Sequence, residues 1–187
     1  MITLFHAGYD VIKEPDVHHG RKNADFGQGF YTTDNKEFAM RWAREQKGKE
    51  VIVNQYELDE STLLVKELNR DKEWFEYIFS NRRVKPDVFG EYDVIIGPIA
   101  NDTIYDTFGI ITSGFLSDEE AMKLLMVGPC SRQIVLKTVK AGEALRFIGS
   151  EVLSPEQIRA GALEHEKENA LFQAEFARAM KEMDADQ

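Results

Sequence analysis

The chain has 187 residues, of which 43% are hydrophobic and 11% aromatic, which is typical of one globular domain with a substantial core and excludes a largely disordered chain. Its formal net charge of -10 disfavours a general nucleic-acid binder or an anionic-membrane binder, because both depend on a basic surface. Its single cysteine, Cys130, excludes an internal disulfide and a cysteine-rich metal cluster.

The first predicted element is a short apolar strand near the N-terminus. Its sequence is Ile2-Thr3-Leu4-Phe5-His6-Ala7-Gly8, so a histidine stands at the end of the strand and a glycine follows it closely. A histidine at this position is typical of a half-buried strand end as well as of a binding site. His18 and His19 come next, but adjacent histidines point apart and no carboxylate or cysteine pattern accompanies them, so we expect no metal site.

A glycine-containing segment then leads into the second predicted strand. It reads Asp25-Phe26-Gly27-Gln28-Gly29-Phe30-Tyr31-Thr32-Thr33. Gly27 and Gly29 lack a Cβ, so they can adopt positive φ and admit a flat ligand. The strand that follows would leave the ring of Tyr31 free to stack and its hydroxyl free to bond. The combination suits a planar heterocycle, although it is also typical of an ordinary hairpin or bulge.

The middle of the chain predicts short strands with helices between them. Asp34-x-x-Glu37 is a capping box that predicts a helix over 35–47. A strand follows over 51–58, and then a helix over 71–79 with core positions at Trp74, Phe75, Ile78 and Phe79. A buried strand is predicted over 93–97, with Asn101 and Asp102 just beyond it.

The last third predicts two helices and one strand. Ser117 with Glu120, and Gly128-Pro129 as a stop, predict a helix over 118–127. A strand over 133–139 begins with Gln133. Ser154, Pro155 and Gln157 begin a long helix over 155–183, which is either packed on the core or a partner surface. This order predicts an α+β fold with a mainly antiparallel sheet, organised as residues 1–150 and a helical extension over residues 151–187.

Three features follow one another along the chain: a strand that ends in a histidine, a Gly-x-Gly-aromatic-Tyr segment, and a strand that opens with a glutamine. This order resembles the ADP-ribosyltransferase superfamily in its diphtheria-toxin-like branch. In particular, Phe26-Gly27-Gln28-Gly29-Phe30-Tyr31 is similar to that branch's Phe-Gly-Lys-Gly-Ile-Tyr segment. The longer segment from Arg21 to Thr33 also resembles an uncharacterised bacterial family assigned to the same superfamily. The resemblance covers about residues 1 to 150 and implies two packed sheets with a split NAD-binding cleft between them.

By this resemblance, three residues form the catalytic set. His6 would bond a ribose hydroxyl of NAD, Tyr31 would stack on the nicotinamide ring, and Gln133 would take the place that a glutamate often holds. A glutamine can accept a hydrogen bond but cannot act as a general base, so chain elongation should be absent.

The resemblance also implies contacts around this set. Arg21 would meet the diphosphate, Trp42 would supply a second aromatic wall, and Asn101 and Asp102 would lie on the acceptor side. Family members commonly have glycine directly after the histidine, whereas Ala7 intervenes here. The remaining NAD-binding candidates are Ala7, Gly8, Gly27, Gly29 and Thr32.

The implied function is that of a mono-ADP-ribosyltransferase-like protein that cleaves the nicotinamide-ribose bond and passes ADP-ribose to a macromolecule, as a toxin or defence component. NAD would be a substrate, the acceptor is unidentified, and the acidic surface favours a protein over nucleic acid. An antitoxin or other protein partner is compatible with this role. The alternatives are an RNA 2′-phosphotransferase, whose substrate-binding arginines are not evident, and a degenerate domain that binds NAD or a partner without turnover.

Localisation follows from two features of the sequence. The N-terminus has no basic segment followed by an apolar run, and no apolar stretch approaches the ~20 residues that span a bilayer. We therefore expect a cytoplasmic protein without membrane contact.

Overall fold

The structure is a computed structural model, and it describes residues 1–99 and 131–185. Within these residues the strands are Ile2–Gly8 (β1), Phe30–Thr32 (β2), Ile52–Leu58 (β3), Val65–Glu67 (β4), Val94–Pro98 (β5), Arg132–Leu136 (β6) and Leu145–Val152 (β7). The helices are Lys36–Trp42 (α1), Lys72–Arg82 (α2), Val139–Glu143 (α3) and Pro155–Ala185 (α4). The predicted helix over 118–127, Asn101 and Asp102 lie outside the described residues.

The described strands form two sheets. The first sheet has the order β1-β3-β7 and is antiparallel throughout. The second sheet has the order β2-β6-β5-β4, in which only the pair of β4 and β5 is parallel. The prediction of an α+β fold with two mainly antiparallel sheets and a long C-terminal helix is therefore confirmed.

The two sheets pack face to face around the larger part of the core. Because side chains alternate along a strand, every second residue of each strand points into this layer. Its buried residues include Leu4, Tyr56 and Leu58 from the first sheet, and Val94, Ile134 and Leu136 from the second.

Each sheet also has an outer face, the one turned away from the other sheet. On the outer face of the second sheet, Ile95 and Val135 join a buried aromatic cluster made of Phe26, Leu68, Trp74, Tyr77, Ile78, Ile95, Val135 and Phe172. On the outer face of the first sheet, Val53 packs with Leu153 and with Ile158 of α4. Helix α4 thus contributes a buried side chain to the outer face of both sheets.

The two sheets meet where β1 passes the end of β2. Phe5 and Thr33 form an isolated antiparallel bridge, with N–O distances of 2.8 and 3.0 Å. Beyond this bridge β1 continues along β3 and β2 continues along β6. His6 is the first residue after the bridge on β1, so it lies where the sheets diverge.

Both ends of α1 differ from the prediction. The predicted cap Asp34 is wrong, because its carboxylate pairs with Arg132 at 2.5 Å, and Asn35 accepts the hydrogen bond from the amide of Phe38 instead. The helix predicted over 35–47 ends at Trp42, and Gly48 has a φ of 78° in the turn that follows.

The start of α4 agrees with the prediction. Ser154 and Gln157 form a reciprocal capping box, in which the amide of Ser154 donates to Oε1 of Gln157 at 2.8 Å and the amide of Gln157 donates to Oγ of Ser154 at 3.3 Å. Strand β7 continues to Val152, just past the predicted boundary at residue 150. None of the described helices is long and apolar enough to span a membrane.

Candidate functional site

His6 is fixed in one orientation by the main chain of β2. Its Nδ1 lies 2.7 Å from the carbonyl oxygen of Tyr31. Because a carbonyl only accepts, Nδ1 carries the proton and donates, which leaves Nε2 as an acceptor in the neutral ring. Burial lowers the pKa of His6, and the hydrogen bond to Tyr31 acts in the opposite direction. At neutral pH the imidazole is therefore uncharged and presents a lone pair at Nε2.

Gly8 leaves space beside this nitrogen. A Cβ placed on Gly8 would lie 3.3 Å from Nε2 of His6, which is closer than ordinary van der Waals contact. Ala7, between them, has its methyl group on the opposite side of the strand, where it packs with the outer face of the first sheet. A side chain at position 8 would therefore crowd Nε2 of His6, and glycine avoids this.

Tyr31 bends back over the preceding turn. Its hydroxyl donates to the carbonyl of Gly27 at 2.7 Å and accepts from the amide of Phe26 at 2.9 Å. Burial is the main reason that the pKa of Tyr31 is raised above its ordinary value. The hydroxyl is thus already satisfied within the chain, and the ring is the part of Tyr31 that can meet a ligand.

Residues 25–29, here called the glycine turn, pack closely against the second sheet. Gly27 has a φ of 70°, and a Cβ there would lie 2.9 Å from Nζ of Lys137. A Cβ on Gly29 would lie 2.7 Å from the carbonyl oxygen of Leu136 and from Cγ1 of Val135. The close approach that the two glycines permit is therefore made to the protein's own β6 and to the lysine after it, and it accounts for both glycines without a ligand.

Side chains from α2 and from the end of β6 hold the carbonyl groups of this turn. Asn81 donates to the carbonyl of Asp25 at 3.1 Å, and Arg82 pairs with the carboxylate of Asp25 at 2.5 Å. Lys137 donates to the carbonyl of Phe26 and lies 3.0 Å from the carboxylate of Asp87.

Lys137, which directly follows β6, was not among the predicted site residues. Its side chain is buried, and this burial lowers the pKa of its ammonium group, while Asp87 acts in the opposite direction. Together with Tyr31, it makes the glycine turn a rigid element.

Gln133 is buried in the middle of the second sheet. Strands β2 and β6 pair Tyr31 with Val135 and Thr32 with Ile134, so Tyr31, Val135 and Gln133 share the outer face. Gln133 is 2% exposed, and its Nε2 has no hydrogen-bond partner among the residues that the structure describes. A buried amide nitrogen without a partner is uncommon in folded proteins, because it loses its bonds to water without replacement.

The structure brings the predicted catalytic residues to one corner, but not into an open pocket. The ring of His6 lies at the free edge of β2, 4.6 Å from the ring of Phe30, and contacts Tyr31 through its main chain. The side chains of Tyr31 and Gln133 leave the sheet on its outer face, where the aromatic cluster already packs.

Other predicted site residues have local partners. Thr32 is buried and donates to the carbonyl of Ile134 at 2.6 Å. Trp42 is 37% exposed and packs edge-on against Phe38, with ring centroids 4.6 Å apart. Arg21 is exposed, and its charge opposes the rise in the pKa of Tyr31.

The described residues form no second candidate centre at this corner. No group of three or more histidine, cysteine, aspartate or glutamate side chains could hold a metal within residues 1–99 and 131–185. A surface cavity of about 440 Å³ lies between the 13–17 loop and α3, and it shares no lining residue with the corner of His6, Tyr31 and Gln133.

Residues 2–147 match the sequence profile of a family described as a protein of unknown function, DUF3990. The chain belongs to this family. The match includes His6, the glycine turn and Gln133, and it ends before α4 of this DUF3990 protein begins at Pro155. A comparison with curated proteins found no significant match.

Proposed function

We propose that this DUF3990 protein is a mono-ADP-ribosyltransferase-like enzyme that binds NAD, releases nicotinamide and transfers ADP-ribose to a macromolecular acceptor. The observation that carries the proposal is the hydrogen bond between His6 Nδ1 and the Tyr31 carbonyl, 2.7 Å long, at the point where the two sheets diverge. It supports the role given to the histidine by the resemblance of the chain to the diphtheria-toxin-like branch.

The reaction requires that the ribose be held while positive charge develops at its anomeric carbon. Nε2 of His6 is an acceptor in a neutral ring and would bond a ribose hydroxyl. The space beside Gly8 would admit that hydroxyl. The ring of Tyr31 would stack on the nicotinamide, since its hydroxyl is already bonded to Gly27.

Gln133 limits the chemistry of the proposed enzyme. Its amide can donate to a ribose hydroxyl through the unpartnered Nε2, but it cannot remove a proton from an acceptor. We therefore expect hydrolysis of NAD or a single transfer to a strong nucleophile. A domain that binds NAD or a protein partner without turnover is the second candidate, favoured by the same uncharged and buried amide.

Release of nicotinamide from NAD tests the proposal. We expect release by the purified chain that His6→Ala and Tyr31→Ala reduce by at least ~100-fold, since each removes a group that positions the substrate. His19→Ala, an exposed histidine in a loop, is the matched control and should leave the rate unchanged.

Calorimetric titration with NAD separates the two candidates. Binding without release supports the non-catalytic alternative, and Gln133→Glu should then gain turnover if only the carboxylate is missing. The proposal is wrong if neither NAD binding nor nicotinamide release is detected. It is also wrong if release is equal in the wild-type protein, His6→Ala and Tyr31→Ala.

A further inference from the structure

Helix α4 places one buried side chain in the aromatic cluster on the sheet face where Tyr31 and Gln133 lie. Phe172 of α4 is 2% exposed and belongs to the aromatic cluster, which also contains Val135, the cross-strand partner of Tyr31. Tyr31 packs against this cluster, and Gln133 lies on the same face with 2% exposure. A ligand that must touch both residues therefore meets a face that the protein has already filled.

The two ends of α4 are attached very differently. Near its start, Ile158 is buried, and Gly161 packs so closely on α1 that a Cβ would lie 3.1 Å from the carbonyl oxygen of Met40. From residue 168 onward, the contacts to the rest of the fold include the ion pair of Glu168 with Arg41 and the buried ring of Phe172.

In this distal part, residues 168–185, most of the side chains that the structure describes are exposed. Leu171, next to Phe172, is 65% exposed, and Phe176 is half-buried at the edge of the cluster. A helix end whose described side chains are mostly exposed belongs to the low-stability part of a protein, which opens without global unfolding.

We propose that residues 168–185 form an autoinhibitory cover, and that a ligand reaches Tyr31 and Gln133 only after Phe172 leaves the aromatic cluster. Nε2 of Gln133, which has no hydrogen-bond partner among the described residues, would supply a donor to the ligand in the open state. The identity of the ligand as NAD rests on the proposed function, whereas the cover itself does not.

The first test compares two neighbouring residues of α4 in the full chain. Phe172→Ala removes the buried ring, and Leu171→Ala removes an apolar side chain from the exposed side of the same turn. If the closed state dominates, the apparent affinity is the intrinsic one multiplied by the open fraction, so Phe172→Ala should bind NAD ~10-fold more tightly in a calorimetric titration. Leu171→Ala should bind like the wild type.

The second test does not depend on NAD. In a Cys130→Ser background, Gln133→Cys places a thiol on the covered face, and Ile134→Cys places one on the opposite, inter-sheet face. Adding Phe172→Ala should raise the rate of labelling at position 133 by ~10-fold relative to Leu171→Ala, because local opening controls access. The labelling rate at position 134 should change only as much as the change in the free energy of global unfolding predicts.

The outcomes distinguish this inference from the proposed function. If no form binds NAD but labelling at position 133 responds to Phe172→Ala, the cover stands and the proposed function fails. If labelling does not respond, or if NAD binds the wild-type protein and Phe172→Ala equally, the cover is wrong. Should Phe172→Ala fail to fold, Glu168→Gln breaks the ion pair with Arg41 and should shift both readouts in the same direction by ~3-fold.

Discussion

The glycine turn and the distal part of α4 lie on the same aromatic cluster but are held in opposite ways. In the turn, the carbonyls of Asp25, Phe26 and Gly27 each accept a hydrogen bond from a side chain of another element. Among residues 168–185, Phe172 is buried, and most of the other side chains that the structure describes are exposed. We therefore expect the glycine turn to stay in place when the distal part of α4 opens.

The largest expected effect compares two buried phenylalanines of the cluster. Phe26→Ala should lower the free energy of unfolding by about 3–5 kcal/mol, because it leaves a cavity in a part of the fold that cannot rearrange. Phe172→Ala should cost less than half as much, since its cost cannot exceed the free energy of docking the end of α4. Urea unfolding followed by tryptophan fluorescence measures both, and Leu171→Ala should stay within about 0.5 kcal/mol of the wild type. Equal losses of stability for the two variants would show that the distal part of α4 is held as firmly as the glycine turn.

The next effect concerns the buried cation of the turn. Lys137→Met should lower stability by about 2 kcal/mol, because the carbonyl of Phe26 loses a donor and Asp87 loses its ion-pair partner. A double-mutant cycle with Asp87→Asn, measured by urea unfolding, should show that part of this loss is shared by the pair. If the effects of the two substitutions are additive, Lys137 stabilises the fold only through its hydrogen bond to the carbonyl of Phe26.

A smaller effect is expected from the hydroxyl of Tyr31. Tyr31→Phe should cost about 1–2 kcal/mol at neutral pH, because the amide of Phe26 and the carbonyl of Gly27 each lose a partner. The raised pKa of Tyr31 means that the folded state keeps a proton that the unfolded chain loses near pH 10, so wild-type stability should fall as the pH rises beyond 10. Thermal melts between pH 8 and 11 should show a shallower fall for Tyr31→Phe. Parallel curves would contradict this assignment.

The smallest effect is the pH dependence contributed by His6. Because the pKa of His6 is lowered in the folded state, the unfolded chain takes up a proton near pH 6.5 before the folded state does. The contribution of His6 to the free energy of unfolding is therefore complete above pH 6.5 and is lost as the pH falls. Melting temperatures measured from pH 8 to 5 should fall less steeply for His6→Gln than for the wild type. His19→Gln, in an exposed loop, should follow the wild-type curve. If both variants match the wild type, the pKa of His6 does not differ between the folded and the unfolded state.

Local patterns predicted much of the fold. The apolar patterns located β1, β2, β3, β5 and β6, and the cap Ser154 marked the start of α4. The strands β4 and β7 and the helix α3 were not predicted. The cap of α1 was predicted wrongly, because Arg132, distant in the chain, takes the carboxylate of Asp34. Lys137 was overlooked for the same reason, since its partners come from the glycine turn and from the loop after α2.

The sequence by itself determined the α+β class and most of the described elements, because these depend on backbone conformation and on the spacing of apolar side chains within one segment. Only the tertiary structure decided what the glycines approach, which nitrogen of His6 remains an acceptor, and that Phe172 packs on the face shared by Tyr31 and Gln133. These features depend on contacts between segments far apart in the chain, and the register of the strands and the path of α4 fix such contacts only when the whole chain is packed.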